Sequence, residues 1–304
     1  MFGDEYQLLD FGSGRKLERF AGYMLDRPSP AAADVLREKR AMWPHADAHY
    51  QRDGEQARWS IEREVPVPWL LRAGPLTLEL KLTEFGHLGL FPEQVDNWDW
   101  IGEQVREAGR PLKVLNLFAY TGASTLAAAA AGAEVVHVDA AANTVAWARR
   151  NAAASGLADA PIRWITEDAL KFARRELKRG NRYEAVILDP PSYGHGPRGQ
   201  AWKLDEHLEE LLRLCLELTA DRRQFLLLTC HTDEWAKPSG LLKYTVSHTP
   251  ELQSEGRIEA VPMGLVSAAG KRLHCGAALR WSAAVDAKAS QAIDQVASEL
   301  GREV

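Results

Sequence analysis

From Leu112 to Thr229 short apolar runs alternate with longer amphipathic stretches, and that rhythm leaves few architectures open. The apolar runs are Lys113–Leu117, Glu134–Asp139, Ile162–Thr166, Ala185–Leu188 and residues 224–229. Runs this short, rich in Val, Leu and Ile, suit strands buried on both faces. The stretches between them, 125–131, 141–155, 169–179 and 203–218, have helical spacing. Strand–helix alternation predicts an α/β fold with a doubly wound, mostly parallel sheet. Two later apolar runs, 258–261 and 275–281, are expected to pair antiparallel at the far edge. Residues 286–300 read as a terminal helix.

Residues 1–84 read differently. Segments 8–14, 58–62 and 76–82 are strand-like, the last two with period-two alternation, and Arg27-Pro28-Ser29-Pro30 is a break. They predict a small β-rich (α+β) N-terminal domain. Residues 85–111 form a connector: Gly86-His87-Leu88-Gly89-Leu90-Phe91-Pro92-Glu93-Gln94, then a helix over 95–108 stopped by Gly109-Arg110-Pro111. The main domain is expected over 112–304.

Bulk properties exclude several classes. A net charge of −5 gives no whole-molecule basic field for nucleic acid, so any such contact rests on a local patch. Three cysteines in 304 residues argue for a reducing compartment and against a disulfide framework. The N-terminus lacks a signal-like segment, and the most apolar stretch, 127–133, is too short to span a bilayer. A soluble, cytoplasmic protein is expected. His45 and His49 lack a third ligand nearby in sequence, so no metal is expected.

Ligands of open α/β sheets sit at the carboxyl ends of the strands. Here the first strand runs into Tyr120-Thr121-Gly122-Ala123-Ser124, a small-residue turn without the Gly-x-Gly-x-x-Gly of dinucleotide sites. The second ends in Asp139, about 20 residues past the glycine turn, where a carboxylate suits ribose hydroxyls. After the third, Asp168 either accepts from an adenine amino group or caps the next helix. The fourth ends in Asp189-Pro190-Pro191-Ser192, an acid on a proline-stiffened elbow. Cys230-His231 follows the fifth.

This order of strand-end residues resembles the class I S-adenosylmethionine-dependent methyltransferases. Asn116-Leu117-Phe118-Ala119-Tyr120-Thr121-Gly122 and Gly89-Leu90-Phe91-Pro92-Glu93-Gln94 are similar to the 23S ribosomal RNA large-subunit methyltransferases and their single-cysteine 5-methylcytosine relatives. The resemblance covers about residues 86–282 and, more weakly, 14–20. It implies a seven-stranded Rossmann-like sheet, S-adenosylmethionine as cofactor and RNA as acceptor. It implies a cofactor site of Phe91, Gln94, Asn116, Phe118, Tyr120, Thr121, Gly122, Asp139, Ala140, Asp168, Ala169 and Asp189. In it Asp139 holds the ribose, Asp168 the adenine and Gly122 the methionine end, while Phe91 and Gln94 close over the cofactor. It also implies Asp189, Pro190 and Cys230 as catalytic residues.

Two chemistries stay open. In the first, a Cys230 thiolate adds to C6 of cytosine and makes C5 nucleophilic, Asp189 steadies the base, and His231 lowers the thiol pKa. In the second, a ring or exocyclic nitrogen attacks directly and no cysteine is needed. The plain alternative for Cys230 is a small buried residue. A protein or small-molecule acceptor is the rival substrate class; a binding module without catalysis, or an oxidoreductase, is the rival function. Lys171, Arg174, Arg175, Lys178, Arg179 and Arg182 form a helical stripe that either follows phosphates or is a solvated face. Tyr193-Gly194-His195-Gly196 with Pro197 reads as a lid over substrate.

Overall fold

The computed structural model describes residues 2–53, 56–195 and 201–284. The helix expected over 286–300, and Gly196 and Pro197 of the expected lid, lie outside them.

Seven strands form the N-terminal region: β1 (Tyr6–Gly12), β2 (Arg15–Phe20), β3 (Tyr23–Pro28), β4 (Ala48–Asp53), β5 (Gln56–Ile61), β6 (Trp69–Ala73) and β7 (Leu76–Leu80). The first five make one sheet in chain order, antiparallel except for β3 with β4, and β6 and β7 form a hairpin. A short turn of 3-10 helix, Pro92–Gln94, leads into α1 (Val95–Glu107).

The main sheet contains β8 (Lys113–Leu117), β9 (Glu134–Asp139), β10 (Ile162–Thr166), β11 (Ala185–Leu188) and β14 (Phe225–Cys230), with β15 (Gly256–Val266) and β16 (Arg272–Ala283). Between β11 and β14 stands a small hairpin, β12 (Tyr193–His195) and β13 (Ala201–Lys203). The helices are α2 (Ala123–Ala130), α3 (Ala142–Ala154), α4 (Ala169–Lys178), α5 (Leu204–Leu218), α6 (Pro238–His248) and α7 (Glu251–Glu255). Strand order is β10-β9-β8-β11-β14-β16-β15, parallel as far as β14 and antiparallel at β16 and β15. This is the expected seven-stranded, doubly wound sheet. The chain steps outward from β8 to β10 and then returns beside β8 as β11. That reversal is a topological switch point, with the crevice at the paired ends Leu117 and Leu188.

Period-two alternation sorts each buried strand onto two faces. Leu115, Leu117, Val186, Leu188, Leu226 and Leu228 join a core with Phe172 of α4 and Leu208, Leu211 and Leu212 of α5. Val114, Ala185, Ile187, Phe225 and Leu227 join another with Ile101 and Val105 of α1 and Ala128 of α2. Each fully buried leucine contributes about 2 kcal/mol of transfer free energy, so β11 needs no polar residue to hold its place.

The N-terminal region shares a core with the main sheet: Phe20, Trp69, Leu78, Leu80 and Leu90 cluster with Leu126, Ala127 and Ala152. Polar contacts fix the seam. The Glu79 amide donates to Asn151 Oδ1 at 2.8 Å, and Trp147 Nε1 donates to the Glu79 carbonyl at 3.0 Å. Gly89 completes it. Its φ is +88°, and a Cβ there would lie 2.2 Å from the Trp147 ring.

The basic stripe on α4 is only partly paired, with three carboxylates meeting four of its six cations. Lys171 and Arg175 pair with Glu167, Arg174 with Glu210, and Arg179 with Glu176. Of the expected lid, Tyr193–His195 form β12 and pair with β13. Trp202, buried on β13, donates from Nε1 to the Pro191 carbonyl at 2.7 Å and packs on Phe118 with ring centroids 4.7 Å apart.

Candidate active site

The turn after β8 is built from alternating left-handed residues, Phe118 at φ +56°, Tyr120 at +50° and Gly122 at +91°. The two non-glycine positions store strain of about 1–3 kcal/mol each, so their surroundings must hold them. Asp139, ending β9, does much of that. Its Oδ2 accepts from the Tyr120 amide at 2.9 Å and its Oδ1 from the Ala141 amide at 3.0 Å. Burial raises the Asp139 pKa, and these two N–H groups offset only part of the rise. Thr121 Oγ1 donates to the Gly89 carbonyl at 2.6 Å, and Asn151 Nδ2 donates to the Thr121 carbonyl at 2.9 Å.

A narrow cleft runs between this turn and the connector, lined by Gly89–Phe91, Gln94, Trp98, Asn116, Phe118–Ser124 and Asp189. It encloses about 40 Å³, whereas small-ligand sites are usually several hundred. The facing rings of Phe91 and Tyr120, 5.5 Å between centroids, must part to admit a nucleoside-sized molecule. A much larger cleft, about 840 Å³ and lined by Arg213, Arg222, Glu255 and Trp281 among others, opens beyond the opposite ends of the strands, away from every strand-end residue named above.

The expected cofactor residues fall into two groups. Phe91, Gln94, Asn116, Phe118, Tyr120, Thr121, Gly122 and Asp189 line the cleft; Asp139, Ala140, Asp168 and Ala169 stand outside it, at the ends of β9 and β10. Asp168 caps α4, its Oδ1 accepting from the Lys171 amide at 2.9 Å. Asn116 gives its Nδ2 hydrogen to Thr125 Oγ1 at 2.9 Å, which in turn contacts His137 Nδ1 at 2.9 Å. Burial drives His137 down to about 3, so the ring is neutral.

Asp189 is the focus of a second network. Its Oδ2 accepts from Gln94 Nε2 at 3.0 Å, and its Oδ1 accepts from Thr229 Oγ1 and from His231 Nε2, the latter at 3.0 Å. His231 Nδ1 lies 3.0 Å from the Cys275 carbonyl oxygen, which can only accept. Both ring nitrogens therefore donate, and the imidazole is cationic. Burial by itself lowers the His231 pKa, but the hydrogen bond to Asp189 and its charge, with the Cys275 carbonyl, outweigh it and raise the value to about 9. Three donors converge on one carboxylate whose side chain is still 35% exposed. It is a hydrogen-bond acceptor lining the cleft.

Cys230 does not join it. On β14 Thr229 faces Gln94 and Asp189, while Cys230 points to the other face, in the core with Leu228, Leu241 and Ala277. The thiol is fully buried. That burial, reinforced by the charge of Asp189, pushes its pKa up to about 12. The expectation that His231 activates this thiol is corrected, since His231 spends both nitrogens elsewhere. Sequence reading missed Thr229, Asn97 and Arg280 as parts of the site, and the contact of Gln94 with Asp189. Only three-dimensional packing brings them together.

A doubly wound sheet of this order, with a glycine turn after its first strand and an Asp-Pro-Pro elbow at the switch point, is the architecture of class I methyltransferases. Comparison with known proteins agrees. Residues 45–273 match the family described as S-adenosylmethionine-dependent methyltransferase. The S-adenosylmethionine-dependent methyltransferase from Agrobacterium tumefaciens is 35% identical, with a TM-score of 0.84 over 91% of this chain and 90% of that one. Ribosomal RNA large subunit methyltransferase I of Aeromonas hydrophila is 30% identical over 71% of this chain and 57% of its own length. Ribosomal RNA large subunit methyltransferase K/L of Shewanella frigidimarina is 28% identical over 58% of this chain and 24% of its own. The chain thus spans about a sixth to three-fifths of the length of the curated relatives it matches. It belongs to the S-adenosylmethionine-dependent methyltransferase family: it is an enzyme, and S-adenosylmethionine is its cofactor.

The cleft suits that cofactor in kind. At Gly122 a Cβ would stand 3.0 Å from Ala148 Cβ, so the backbone runs bare there, and aromatic rings form the walls. Among the described residues no cluster of three His, Cys, Asp or Glu side chains could hold a metal, and no helix is long and apolar enough to cross a membrane.

Proposed function

We propose that this enzyme methylates a nitrogen of an RNA base, with Asp189 as the residue that receives the acceptor. The observation that carries the reading is the Asp189 carboxyl group held by Gln94, Thr229 and His231 where it lines the cleft. A carboxylate offers only acceptor sites, so it selects a group bearing N–H hydrogens. An amino or imino nitrogen fits; a carbonyl oxygen does not. The burial of Cys230 weighs against the cytosine C5 route. The named activities of the curated relatives favour RNA over other acceptors.

Bound S-adenosylmethionine supplies an electrophilic methyl group. The chain's part would be to hold the acceptor nitrogen in line with that methyl group. Asp189 accepts a hydrogen bond from the attacking N–H and so aims the lone pair. On taking the methyl group that the bound cofactor would supply, with its thioether as the leaving group, the nitrogen would gain positive charge. The carboxylate stabilises that charge and takes the proton, which then leaves to solvent. Pro190 and Pro191 restrict the elbow, and Trp202 holds the Pro191 carbonyl.

For the cofactor we propose contacts from Phe91, Phe118, Tyr120, Thr121 and Gly122, with Asp139 and Ala140 at the ribose and Asp168 and Ala169 at the adenine. We further read 1–84 as a separate N-terminal unit, 85–111 as the connector and 112–304 as the transfer domain. Three unpaired cysteines suit the reducing cytoplasm. A protein or small-molecule acceptor is the second reading, favoured by the net charge of −5.

The test is nucleoside mass spectrometry of total RNA from cells with and without the gene, followed by transfer in vitro. Asp189→Ala should lower the rate about 100-fold or more, near 2.7 kcal/mol, with cofactor affinity nearly unchanged. Activity within a fewfold of wild type would return Asp189 to a turn-forming role.

A further inference from the structure

We infer that Asn97 and Arg280 are positioning residues for methyl transfer: they orient the Gln94 amide so that its N–H end, not its carbonyl, faces Asp189. The inference rests on the reading of Asp189 given above.

An amide has two ends of nearly equal shape, one donor and one acceptor, and a neighbouring network decides which end points where. Here the decision starts at a group that can only donate. Arg280, on β16 at the antiparallel side of the sheet, contacts Asn97 Oδ1 through Nη2 at 2.8 Å and Nε at 3.2 Å. Asn97 must then turn its oxygen to Arg280 and its nitrogen away. Its Nδ2 donates to Gln94 Oε1 at 2.7 Å. Gln94 in turn presents Nε2 to Asp189 Oδ2 at 3.0 Å. Asn97 is 1% exposed and Gln94 5%, so the two amides in the middle of this relay are shielded from solvent. The guanidinium is itself seated over the Trp100 ring, 5.5 Å from its centroid, and Asn97 Nδ2 also touches Met263 Sδ at 3.2 Å. Neither Asn97 nor Arg280 lines the cleft.

The hydrogen-bond polarity thus passes from an arginine through two buried amides to the reacting carboxylate. Reversing it at Asn97 sets an oxygen against Gln94 Oε1. The Gln94 amide then turns over, and its carbonyl repels Asp189. A buried network of this kind loses most when a partner is reversed rather than removed.

The experiment measures tritium transfer from S-adenosylmethionine to total RNA from a strain lacking the gene, over a range of pH, for Asn97→Asp, Arg280→Met, Arg280→Lys and Asp189→Ala. Asn97→Asp should lower kcat about tenfold or more. Its KM for S-adenosylmethionine should stay within about twofold, and the acidic limb of its pH–rate profile should move up by about one unit. Arg280→Met should show the same signature more weakly, and Arg280→Lys, which keeps a pure donor, should restore most of the rate. An active Asp189→Ala enzyme would remove the underlying reading, whatever the other variants do. If Asp189→Ala is inactive while folded Asn97→Asp keeps the wild-type kcat and pH profile, the positioning role is overturned. A rate loss with an unmoved acidic limb and no rescue by lysine overturns it too, because that is the mark of damaged packing. Should circular dichroism show Asn97→Asp unfolded, the Arg280→Met and Arg280→Lys pair decides alone.

Discussion

His231 ties Asp189 to the backbone of β16: Nε2 lies 3.0 Å from Asp189 Oδ1 while Nδ1 lies 3.0 Å from the Cys275 carbonyl oxygen. The ring is a bridge between the elbow after β11 and the antiparallel side of the sheet, and it works only with both nitrogens protonated. Folding therefore retains a proton on His231 that the unfolded chain gives up.

A pH dependence follows from that retention. The His231 pKa stands at about 9 against an ordinary 6.5. A group whose folded value is raised contributes its full stability below the unfolded value and loses it as pH climbs through the folded one. Melting temperature should decline between about pH 6.5 and 9. His231→Gln should flatten that decline, as followed by thermal melts across pH 6 to 10. An equally steep decline in the variant would place the titrating group elsewhere.

Cys230 separates the two base chemistries. Cys230→Ala should stay active, with a stability loss of about 1 kcal/mol from the missing sulfur in the core. RNA carrying 5-fluorocytosine should trap no covalent adduct on denaturing gels. An inactive, folded Cys230→Ala enzyme together with a trapped adduct would restore the cytosine route.

Asp139 and Asp168 occupy similar places in sequence but hold different partners. Asp139 fixes the strained turn at Tyr120, whereas Asp168 caps α4. Asp139→Ala should weaken S-adenosylmethionine binding by about 1.5–3 kcal/mol, the range for hydrogen bonds to a charged group. Asp168→Ala should lower stability by about 1 kcal/mol, the usual value of an N-cap. Thermal melts read the cap, calorimetry on both variants reads the ribose contact of Asp139 and the proposed adenine contact of Asp168, and NAD should give no binding heat. Unchanged cofactor affinity in Asp139→Ala would remove its ribose role.

Gly89→Ala should be among the more damaging small substitutions. A Cβ 2.2 Å from the Trp147 ring displaces the indole that bonds the Glu79 carbonyl, and φ of +88° adds strain. A loss of about 1–3 kcal/mol is expected, as for other overpacked sites. Chemical denaturation measures it; a neutral result would show that the seam between the N-terminal region and α3 yields easily.

Much of the transfer domain is legible in the chain. Strands buried on both faces read as near-continuous apolar runs, as Ala185–Leu188 does, whereas Ile162–Thr166, at the sheet edge, is only partly buried and shows itself by length and β-branched content instead. The Asp-Pro-Pro elbow is visible because prolines cannot continue a central strand. Other parts are faint. The pairing of β3 with β4 joins distant segments that carry no mutual signal, and α6 and α7 lack a clear apolar stripe.

Sequence alone determined the class of protein and the residues that arrive at the carboxyl ends of its strands, because hydrophobic periodicity is a local property that each segment carries in itself. It could not say what those residues do on arrival. Thr229 and Cys230 are adjacent, small and polar enough to trade places on paper, and only tertiary packing told them apart: Thr229 shares the face of β14 that carries Phe225 and Leu227 under α1 and meets Asp189, while Leu241 and Ala277 help bury the thiol on the other face. The partners of Asp189 lie 95, 40 and 42 residues away, and Arg280 is 183 residues from Asn97. Contacts of that range depend on strand order, register and the seating of one helix, and these are fixed only when the whole sheet closes around its cores.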